Sequence, residues 1–337
     1  MSVARAPRFG GIVSPILGCA VLAFLAPAHG FLSGDGLRAQ TTYQAGQNVA
    51  PAFEGWVENE DGTFSLLFGY MNRNWQEEPD VPVGPDNFVS PGPEDQGQPT
   101  NFRPRRNRFV FEVPVPADFG DQEMVWTLTT NGVTEHAYGS LHIDYKIDDI
   151  VIASETGALG IGISDAETRA NQPPTIWVEG ESVRRVRVGE PLTLVVMMED
   201  DGLADAIERS KARAEAKAKR IAEREGPPRL SERQLRPPIR ITVNKVVAHH
   251  IAWFVYRGAG GVTFDPPQVK TWEDTRAGAN SPWAPLWVPP PVPEDGRWVV
   301  DVTFDEPGTY TLRARGDDGA LFHDQEVTVI VGPVTTS

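Results

Sequence analysis

The sequence predicts a mainly β protein with two β-sandwich domains in series, and three observations support this prediction. Residues 298–331 alternate apolar and polar side chains in three runs separated by two turns rich in Gly, Pro and Asp. Residues 124–143 repeat the alternation on both sides of Asn131-Gly132. Between these regions, residues 154–171 are small, Gly-rich and polar, as linkers are. Because the side chains of a strand point alternately to opposite faces, such runs indicate strands with one buried face.

The N-terminus has the composition of a secretory signal peptide. Arg5 and Arg8 precede an apolar run that ends in Ala-Pro-Ala at residues 26–28, and signal peptidase accepts small residues of this kind. We therefore expect residues 1–28 to be removed and the protein to be exported to the periplasm or the cell exterior. The apolar run contains Pro15 and no second run follows it, so we expect no transmembrane helix in the mature chain.

Cysteine content and charge restrict the class of protein to which the chain can belong. The only cysteine, Cys19, follows Ile-Leu-Gly inside the predicted signal peptide, so it is either removed or lipidated. The mature chain then has no disulfide, and its domains depend on packing. The formal net charge of −15 argues against nucleic acid as a partner, because the phosphate backbone attracts basic proteins.

The first domain is expected to span residues 50–150, after a small and polar lead-in over residues 29–49. Its opening hairpin turns at residues 60–62 between two alternating segments. Asn131-Gly132 predicts a second hairpin, since Asn and Gly tolerate the positive φ angles of a two-residue type I′ turn.

Two further segments of the first domain have distinctive compositions. Residues 77–104 are dense in Pro, Gly, Asp and Gln and too poor in apolar residues to hold a core element, which predicts a long loop. The strand over residues 108–115 contains Pro114 and is followed by Pro116. Proline cannot donate to a neighbouring strand, so this strand is expected at a sheet edge.

A linker over residues 151–172 leads to the second domain, residues 173–332. Segments 175–178 and 183–188 predict a first strand in two parts. Residues 203–238 change to helix-forming residues with an excess of Arg and Lys, so we expect a charged helical insertion. Such a helix docks an acidic partner, a second copy of the chain or anionic lipid, or it is a solvated excursion.

Two aromatic residues have the positions that sandwich cores use. Ile251, Trp253 and Val255 share one face of a predicted strand, which places Trp253 in the core. Tyr310 follows Pro-Gly-Thr at the start of the penultimate strand. A Tyr at this point suits a tyrosine corner, in which the hydroxyl bonds back to the backbone a few residues upstream.

The second domain resembles the bacterial immunoglobulin-like, polycystic-kidney-disease-type and cadherin-like sandwiches of exported proteins. The resemblance covers residues 173–331 apart from the insertion, and it implies an immunoglobulin-like fold but no activity. Polycystic-kidney-disease-type domains carry Trp-Asp-Phe-Gly-Asp-Gly near the third strand, whereas Trp253 is followed by Phe-Val-Tyr-Arg-Gly, and they lack a charged insertion. The matching positions are Val188-Gly189-Glu190-Pro191-Leu192, Asp200-Asp201-Gly202, Trp253, Pro307-Gly308-Thr309-Tyr310 and Asp317-Asp318-Gly319.

The first domain has a less informative resemblance. Its segment Phe-Gly-Tyr-Met-Asn-Arg-Asn at residues 68–74 is similar to segments of uncharacterised exported bacterial proteins. This resemblance implies no activity.

Aromatic residues in predicted loops are the candidate binding residues. Such rings stack on sugars or anchor a protein partner. The other interpretation is that they cap the open ends of the sandwiches. The candidates are Trp272, Trp283 and Trp287 in the second domain and Tyr70 and Trp75 beside the long loop of the first.

Acidic turns are the candidate metal ligands. Asp200, Asp201, Asp317 and Asp318 lie in two turns, and cadherin-like sandwiches bind calcium through clustered Asp oxygens. The other interpretation is turn chemistry, because Asp accepts hydrogen bonds from nearby backbone N–H groups. Apart from calcium, no cofactor is predicted.

No catalytic motif accompanies these residues. The sequence contains no His-Glu-x-x-His, no Gly-x-Ser-x-Gly, no cysteine pair and no phosphate-cradling loop. Adjacent carboxylates such as Glu77-Glu78 match glycoside hydrolases by residue type only. We therefore predict a non-catalytic exported protein of the bacterial envelope with a structural, adhesive or partner-binding role, whose partner is an envelope protein or a polysaccharide. The alternative is a carbohydrate-binding module protein that uses loop aromatic side chains beside a secreted hydrolase.

Overall fold

A computed structural model describes residues 43–155, 170–200, 249–268 and 290–334. The prediction of a mainly β protein is confirmed, because these residues form fourteen strands in four sheets. The helices that lie wholly within these ranges are one 3-10 turn (Ile143–Tyr145) and one α-helix, α1 (Asp149–Glu155). No helix within the described ranges has both the length and the apolar character needed to cross a membrane.

Contacts divide the chain into residues 1–41 and one compact unit of residues 42–337. The predicted signal peptide and the predicted helical insertion lie outside the described residues, as do residues 156–169 of the predicted linker. The end of the predicted lead-in is described. There, Tyr43 and Gln44 accept backbone hydrogen bonds from residues 75–77, and Val49 begins the first strand.

The N-terminal sandwich consists of six strands in two antiparallel sheets. The sheets have the orders β1-β2-β4 and β3-β5-β6, which correspond to the ABE and CFG arrangement of an immunoglobulin-like sandwich without strand D. The strands are β1 (Val49–Glu58), β2 (Phe64–Asn72), β3 (Asn87–Ser90), β4 (Arg105–Val115), β5 (Glu123–Thr130) and β6 (Val133–Ser140).

The two hairpin turns and the edge strand that the sequence predicts for the N-terminal sandwich are confirmed. Asn131 and Gly132 have φ angles of 50° and 75° between β5 and β6, as a type I′ turn requires. β4 is an edge strand, so Pro114 interrupts no second ladder. The first hairpin turns between β1 and β2, with Gly62 at φ 82°.

The predicted absence of a core element from residues 77–104 is wrong. This segment contains β3, and it contributes Val89 and Phe102 to the N-terminal core. Asn87 is fully buried, and its side chain donates to the backbone oxygens of Val81 and Pro99 at 2.9 and 2.8 Å. Buried amide side chains therefore replace apolar ones as the internal support of this loop.

The C-terminal sandwich has eight strands in two sheets, with the orders β7-β9-β12-β11 and β8-β14-β13-β10. β8 is parallel to β14, and the other pairs are antiparallel. This is the ABED and CFG order of the immunoglobulin fold, with a first strand split between the sheets. The strands are β7 (Thr175–Val178), β8 (Val183–Arg187), β9 (Leu192–Glu199), β10 (His250–Arg257), β11 (Val262–Asp265), β12 (Arg297–Phe304), β13 (Gly308–Asp317) and β14 (Phe322–Gly332).

The predicted core of the C-terminal sandwich is confirmed. Trp253 is buried among the inward side chains of β12, β13 and β14. The Tyr310 hydroxyl donates to the Glu306 backbone oxygen at 3.0 Å, which is the predicted tyrosine corner. With no cysteine outside the predicted signal peptide, aliphatic packing occupies the space that a disulfide fills in antibody domains. The alternating positions that form this core are Val300, Val302, Phe304, Tyr310, Leu312, Ala314, Val327, Val329 and Val331.

Strand β10 is buried on both faces. Ile251 and Trp253 belong to the C-terminal core, whereas Phe254 and Tyr256 belong to the N-terminal core. A continuous apolar run is typical of a strand with two covered faces. β10 therefore links the two sandwiches through packing.

Charged side chains on the outer face of the β10 sheet complete this contact, which we call the joint. Arg313 places its guanidinium carbon 3.3 Å from the ring centre of Tyr256, and Arg103 of the N-terminal sandwich lies 3.5 Å from that of Phe254. Arg313 also donates to the Val110 backbone oxygen at 2.5 Å and pairs with Glu326. These contacts hold together side chains from segments that are distant in the sequence.

A second pair in the joint is bidentate. Arg315 donates to both oxygens of Asp324, each at 2.8 Å, and its guanidinium carbon lies 3.7 Å from the Phe322 ring centre. Burial alone would raise the pKa of Asp324, but Arg315 and Arg313 hold it below its usual value. Asp324 is therefore ionised in the joint at neutral pH.

The free edge of β10 is covered by the loop that precedes β4. The Tyr256 backbone oxygen accepts from the amides of Thr100 and Asn101, both at 3.2 Å. Burial raises the pKa of Tyr256 to about 12, and its neutral hydroxyl donates to the Gly97 backbone oxygen at 2.5 Å. Arg257 forms a bidentate pair with Asp95 at 2.8 and 2.9 Å. The edge is thus satisfied within the molecule at Tyr256.

We expect Arg313→Ala to lower the free energy of unfolding by about 3 kcal/mol, because it removes a nearly buried ion-pair partner and uncovers the Tyr256 ring. Urea unfolding measures this loss. The control is Arg297→Ala, since Arg297 pairs with Glu179 on the surface and should contribute less than about 1 kcal/mol. Equal losses in the two variants would contradict a stabilising role for the joint.

Candidate functional site

Three connections of the C-terminal sandwich leave from the same end, which we call the loop end. Met197 of β9 pairs with Arg297 of β12, and His250 of β10 pairs with Asp317 of β13. The amide of Ile176 in β7 donates to the His323 ring of β14 at 3.4 Å and so joins the two sheets there. The β9–β10, β11–β12 and β13–β14 connections therefore begin and finish at one end of the fold.

A hydrogen bond between Asp200 and His249 at the loop end joins the two sides of the β9–β10 connection. Asp200 Oδ2 lies 2.8 Å from His249 Nε2, and the two side chains are 5% and 17% exposed. The next residue, His250, is buried and lies opposite Asp317. No local sequence pattern indicates the Asp200–His249 contact, because the two residues are far apart in the chain.

The β13–β14 connection is a tight turn built by two buried carboxylates. Asp317 Oδ1 accepts from the Gly319 amide at 2.6 Å. Asp318 Oδ1 accepts from the amides of Ala320 and Leu321 at 2.6 and 2.7 Å. Asn171 donates to the second oxygen of Asp318 at 2.9 Å. Turn chemistry of this kind is the alternative that the sequence left open.

The predicted calcium ligands are only partly described. The register places both acidic turns at the loop end, as the prediction requires, but Asp201 lies outside the described residues. Asp317 Oδ1 and both oxygens of Asp318 accept backbone and amide hydrogens, as the turn-chemistry interpretation predicts. Within the described ranges, no group of three or more His, Cys, Asp or Glu side chains is arranged to hold a metal. Calcium binding therefore stays a prediction.

An apolar cavity of about 260 Å³ lies between the sheets near the loop end. Edge strand β10 contributes Ile251 and Trp253, and β12 contributes Trp298. Pro266, Pro267, Gln268 and Pro290, which flank residues 269–289, complete the described wall. The sequence indicated Trp253 as a core residue but not the cavity beside it.

One of the predicted binding residues is buried in the core. Tyr70 is 1% exposed, and its hydroxyl accepts from the Arg103 amide at 3.0 Å, so it is a core residue of β2 and not a binding platform. Trp75 is half-buried, with the Arg105 guanidinium carbon 4.3 Å from its ring centre. Trp272, Trp283 and Trp287 lie outside the described residues.

Comparisons with known proteins identify no sequence relatives. No family model matches, and no curated protein matches. Solved structures that align include a chimeric titin Z1Z2 carrying a peptide from decorin, at 10% identity over 85% of this chain and 98% of that chain, with a TM-score of 0.21. Domains 4 and 5 of the S-layer protein SbsC align at 12% identity over 85% and 98%, with a TM-score of 0.21.

The N-terminal eight immunoglobulin domains of the Down syndrome cell adhesion molecule align at 7% identity, with a TM-score of 0.22. The alignment covers 85% of this chain and 27% of that chain. TM-scores this low establish no shared overall arrangement. The immunoglobulin-like assignment of the C-terminal sandwich therefore rests on its own strand order and its tyrosine corner.

The turn at Asp318 predicts a pH dependence of stability. Burial raises the pKa of Asp318 to about 6, although bonds from Asn171, Ala320 and Leu321 oppose this shift. Since the folded state binds this proton more tightly than the unfolded state, stability should fall by about 3 kcal/mol as pH rises from about 4 to about 6.

We expect Asp318→Asn to remove this part of the pH dependence while its amide oxygen still accepts from Ala320 and Leu321. Urea unfolding at several pH values measures the slope. Asp118→Asn is the control, because Asp118 is exposed. An unchanged slope in the Asp318→Asn variant would rule out Asp318 as its source.

Proposed function

We propose that the chain is an exported, non-catalytic protein of the bacterial envelope that binds a partner through the loop end of its C-terminal sandwich, in a structural or adhesive role. The convergence of three connections at the loop end carries this proposal. Sandwich proteins commonly place recognition residues on loops that a regular scaffold positions. An envelope protein or a polysaccharide is the proposed partner.

The joint supports this role because it gives the loop end a defined scaffold. β10 shares its side chains between the two cores, and Arg257 binds Asp95 and the Gln98 backbone oxygen across the contact. A partner that pulls on the loop end would therefore load both sandwiches together. Such load sharing suits a structural or adhesive protein.

Carbohydrate binding through loop aromatic side chains is the second candidate. Burial of Tyr70 removes one of its five proposed residues, and Trp75 is half covered by Arg105. This candidate now depends on Trp272, Trp283 and Trp287. We therefore place it after protein binding.

Export requires processing at the predicted signal peptide. We expect the mature protein to begin at His29, because Ala-Pro-Ala at residues 26–28 provides the small residues that signal peptidase accepts. N-terminal sequencing of the protein from the periplasm or the culture medium measures this. Retention of residues 1–28 on a cytoplasmic product would contradict export.

Site-specific photocrosslinking in living cells tests binding at the loop end. A photoreactive amino acid is placed at Val292, which is 54% exposed near the start of β12, and in a second strain at Glu190, in the turn at the opposite end. We expect a discrete crosslinked product from Val292 and none from Glu190. A protease-sensitive product identifies a protein partner, and a glycosidase-sensitive product identifies a polysaccharide.

Two outcomes of this experiment would overturn the proposal. One is equal crosslinking from both positions, which indicates contact without a preferred surface. The other is crosslinking from neither position. Release of soluble products from purified envelope polymers by the mature protein would contradict its non-catalytic role.

A further inference from the structure

We propose that the free edge of β6 pairs with the same edge of a second copy of this chain, so that two N-terminal sandwiches share one continuous antiparallel sheet. β6 is the last strand of the order β3-β5-β6, and among the described strands it has a hydrogen-bonded neighbour on one side only. This edge belongs to the N-terminal sandwich, so the inference does not depend on the proposed binding of a partner at the loop end.

The backbone of β6 directs unpaired donors and acceptors to this edge. The two-residue turn makes Thr130 and Val133 a hydrogen-bonded pair, and hydrogen-bonded and non-hydrogen-bonded pairs alternate along β5 and β6 from there. Every second residue of β6 therefore points its N–H and C=O groups away from β5. These groups have no hydrogen-bond partner among the residues that the structure describes. The residues concerned are Thr134, His136, Tyr138 and Ser140.

The other edges of the described sheets carry features that hinder pairing with another chain. Ile147 donates to β1, residues 100–101 donate to β10, and the amides of Asn87 and Val89 in β3 donate to the adjoining loop. β4 contains Pro114, β8 carries three arginines, and β7 and β11 have four residues each. Covering segments, prolines, charges and short length are the usual means of blocking an edge. β6 instead has eight residues, no proline, no lysine and no register shift against β5.

Charge favours a second copy of this chain as the occupant. Two molecules with a formal net charge of −15 each repel one another, so they approach most easily through a surface without excess charge. Glu135 is the only Asp, Glu, Lys or Arg residue of β6. Its carboxylate accepts from the Asn48 amide group at 2.6 Å and lies 3.6 Å from the Arg73 guanidinium. The edge therefore presents no uncompensated charge to its own copy.

Antiparallel pairing also makes the edge complementary to itself. A two-fold axis matches each outward N–H with a C=O of the other copy, so one contact satisfies both molecules. With the axis at Ala137, all four outward residues find a partner, and His136 lies opposite Tyr138 of the second copy. Tyr138 is 56% exposed in the single chain, and such a cross-strand pair covers its ring.

Sedimentation velocity of the purified mature chain over a range of concentrations tests this pairing, and we expect a reversible monomer–dimer equilibrium. His136→Pro removes the outward N–H but leaves the bonds to β5, because His136 lies in a non-hydrogen-bonded pair. His136→Ala is the matched control, since it removes the same side chain and keeps the N–H. By symmetry the Pro variant loses two hydrogen bonds per dimer, so its dissociation constant should be about thirtyfold higher than that of the Ala variant.

Tyr138→Lys provides a second test that leaves the backbone of β6 unchanged. It places an ammonium group on each copy at the edge, which is how natural edge strands avoid pairing, so we expect a monomer. Val299→Lys is its control, because Val299 is 51% exposed but lies on β12, inside its sheet and away from any edge. This variant should dimerise as the parent does.

Three results would overturn the proposal. The first is a parent that stays monomeric at every concentration, including one whose β6 edge binds a strand of a different protein. The second is equal dimerisation of folded His136→Pro and His136→Ala variants, which would show that the backbone N–H takes no part. The third is a Tyr138→Lys variant that dimerises as strongly as Val299→Lys.

Discussion

The burial of β10 on both faces is the constraint on which the described structure depends. Trp253 fills the C-terminal core, while the adjacent Phe254 and Tyr256 fill the N-terminal core. A one-residue shift of this strand would exchange the two sets of side chains, so each core restricts the register of the other. Both cores lie in the compact unit of residues 42–337, and they share this strand.

The joint also explains why three arginines are buried in the described part of a protein with a formal net charge of −15. Arg103, Arg313 and Arg315 each lie on an aromatic ring of the contact. A guanidinium is flat and weakly hydrated, so it stacks on a ring and donates to a carboxylate or carbonyl at the same time. Lysine offers a point charge and no flat face. The geometry of the contact therefore depends on arginine.

The carboxylates that the structure describes at the loop end already have hydrogen-bond partners. The oxygens of Asp317 and Asp318 are committed to turn hydrogen bonds, and Asp200 is paired with His249. The indole N–H of Trp253 is also buried there, and it has no hydrogen-bond partner among the described residues.

The sequence by itself determined the strands and turns whose signals are local. Alternation identified the core side chains of residues 298–331, Asn131-Gly132 produced its type I′ turn, and Tyr310 formed its corner. Only the tertiary structure decided whether polar loop residues and the outer faces of strands are buried. Asn87 is buried because backbone oxygens on two sides accept its amide hydrogens, although the composition of residues 77–104 predicted a long loop without a core element.

Local sequence signals were also insufficient to predict the joint and the burial of Tyr70. The apolar run of β10 was the available signal that its outer face is covered, but the covering partner is distant, as the contact of Arg313 with Val110 demonstrates. Tyr70 flanks the predicted loop, but its ring is buried and its hydroxyl accepts from the Arg103 amide. Periodicity reports which faces of a strand are apolar, whereas contacts between distant segments decide which faces meet, and no local pattern encodes that choice.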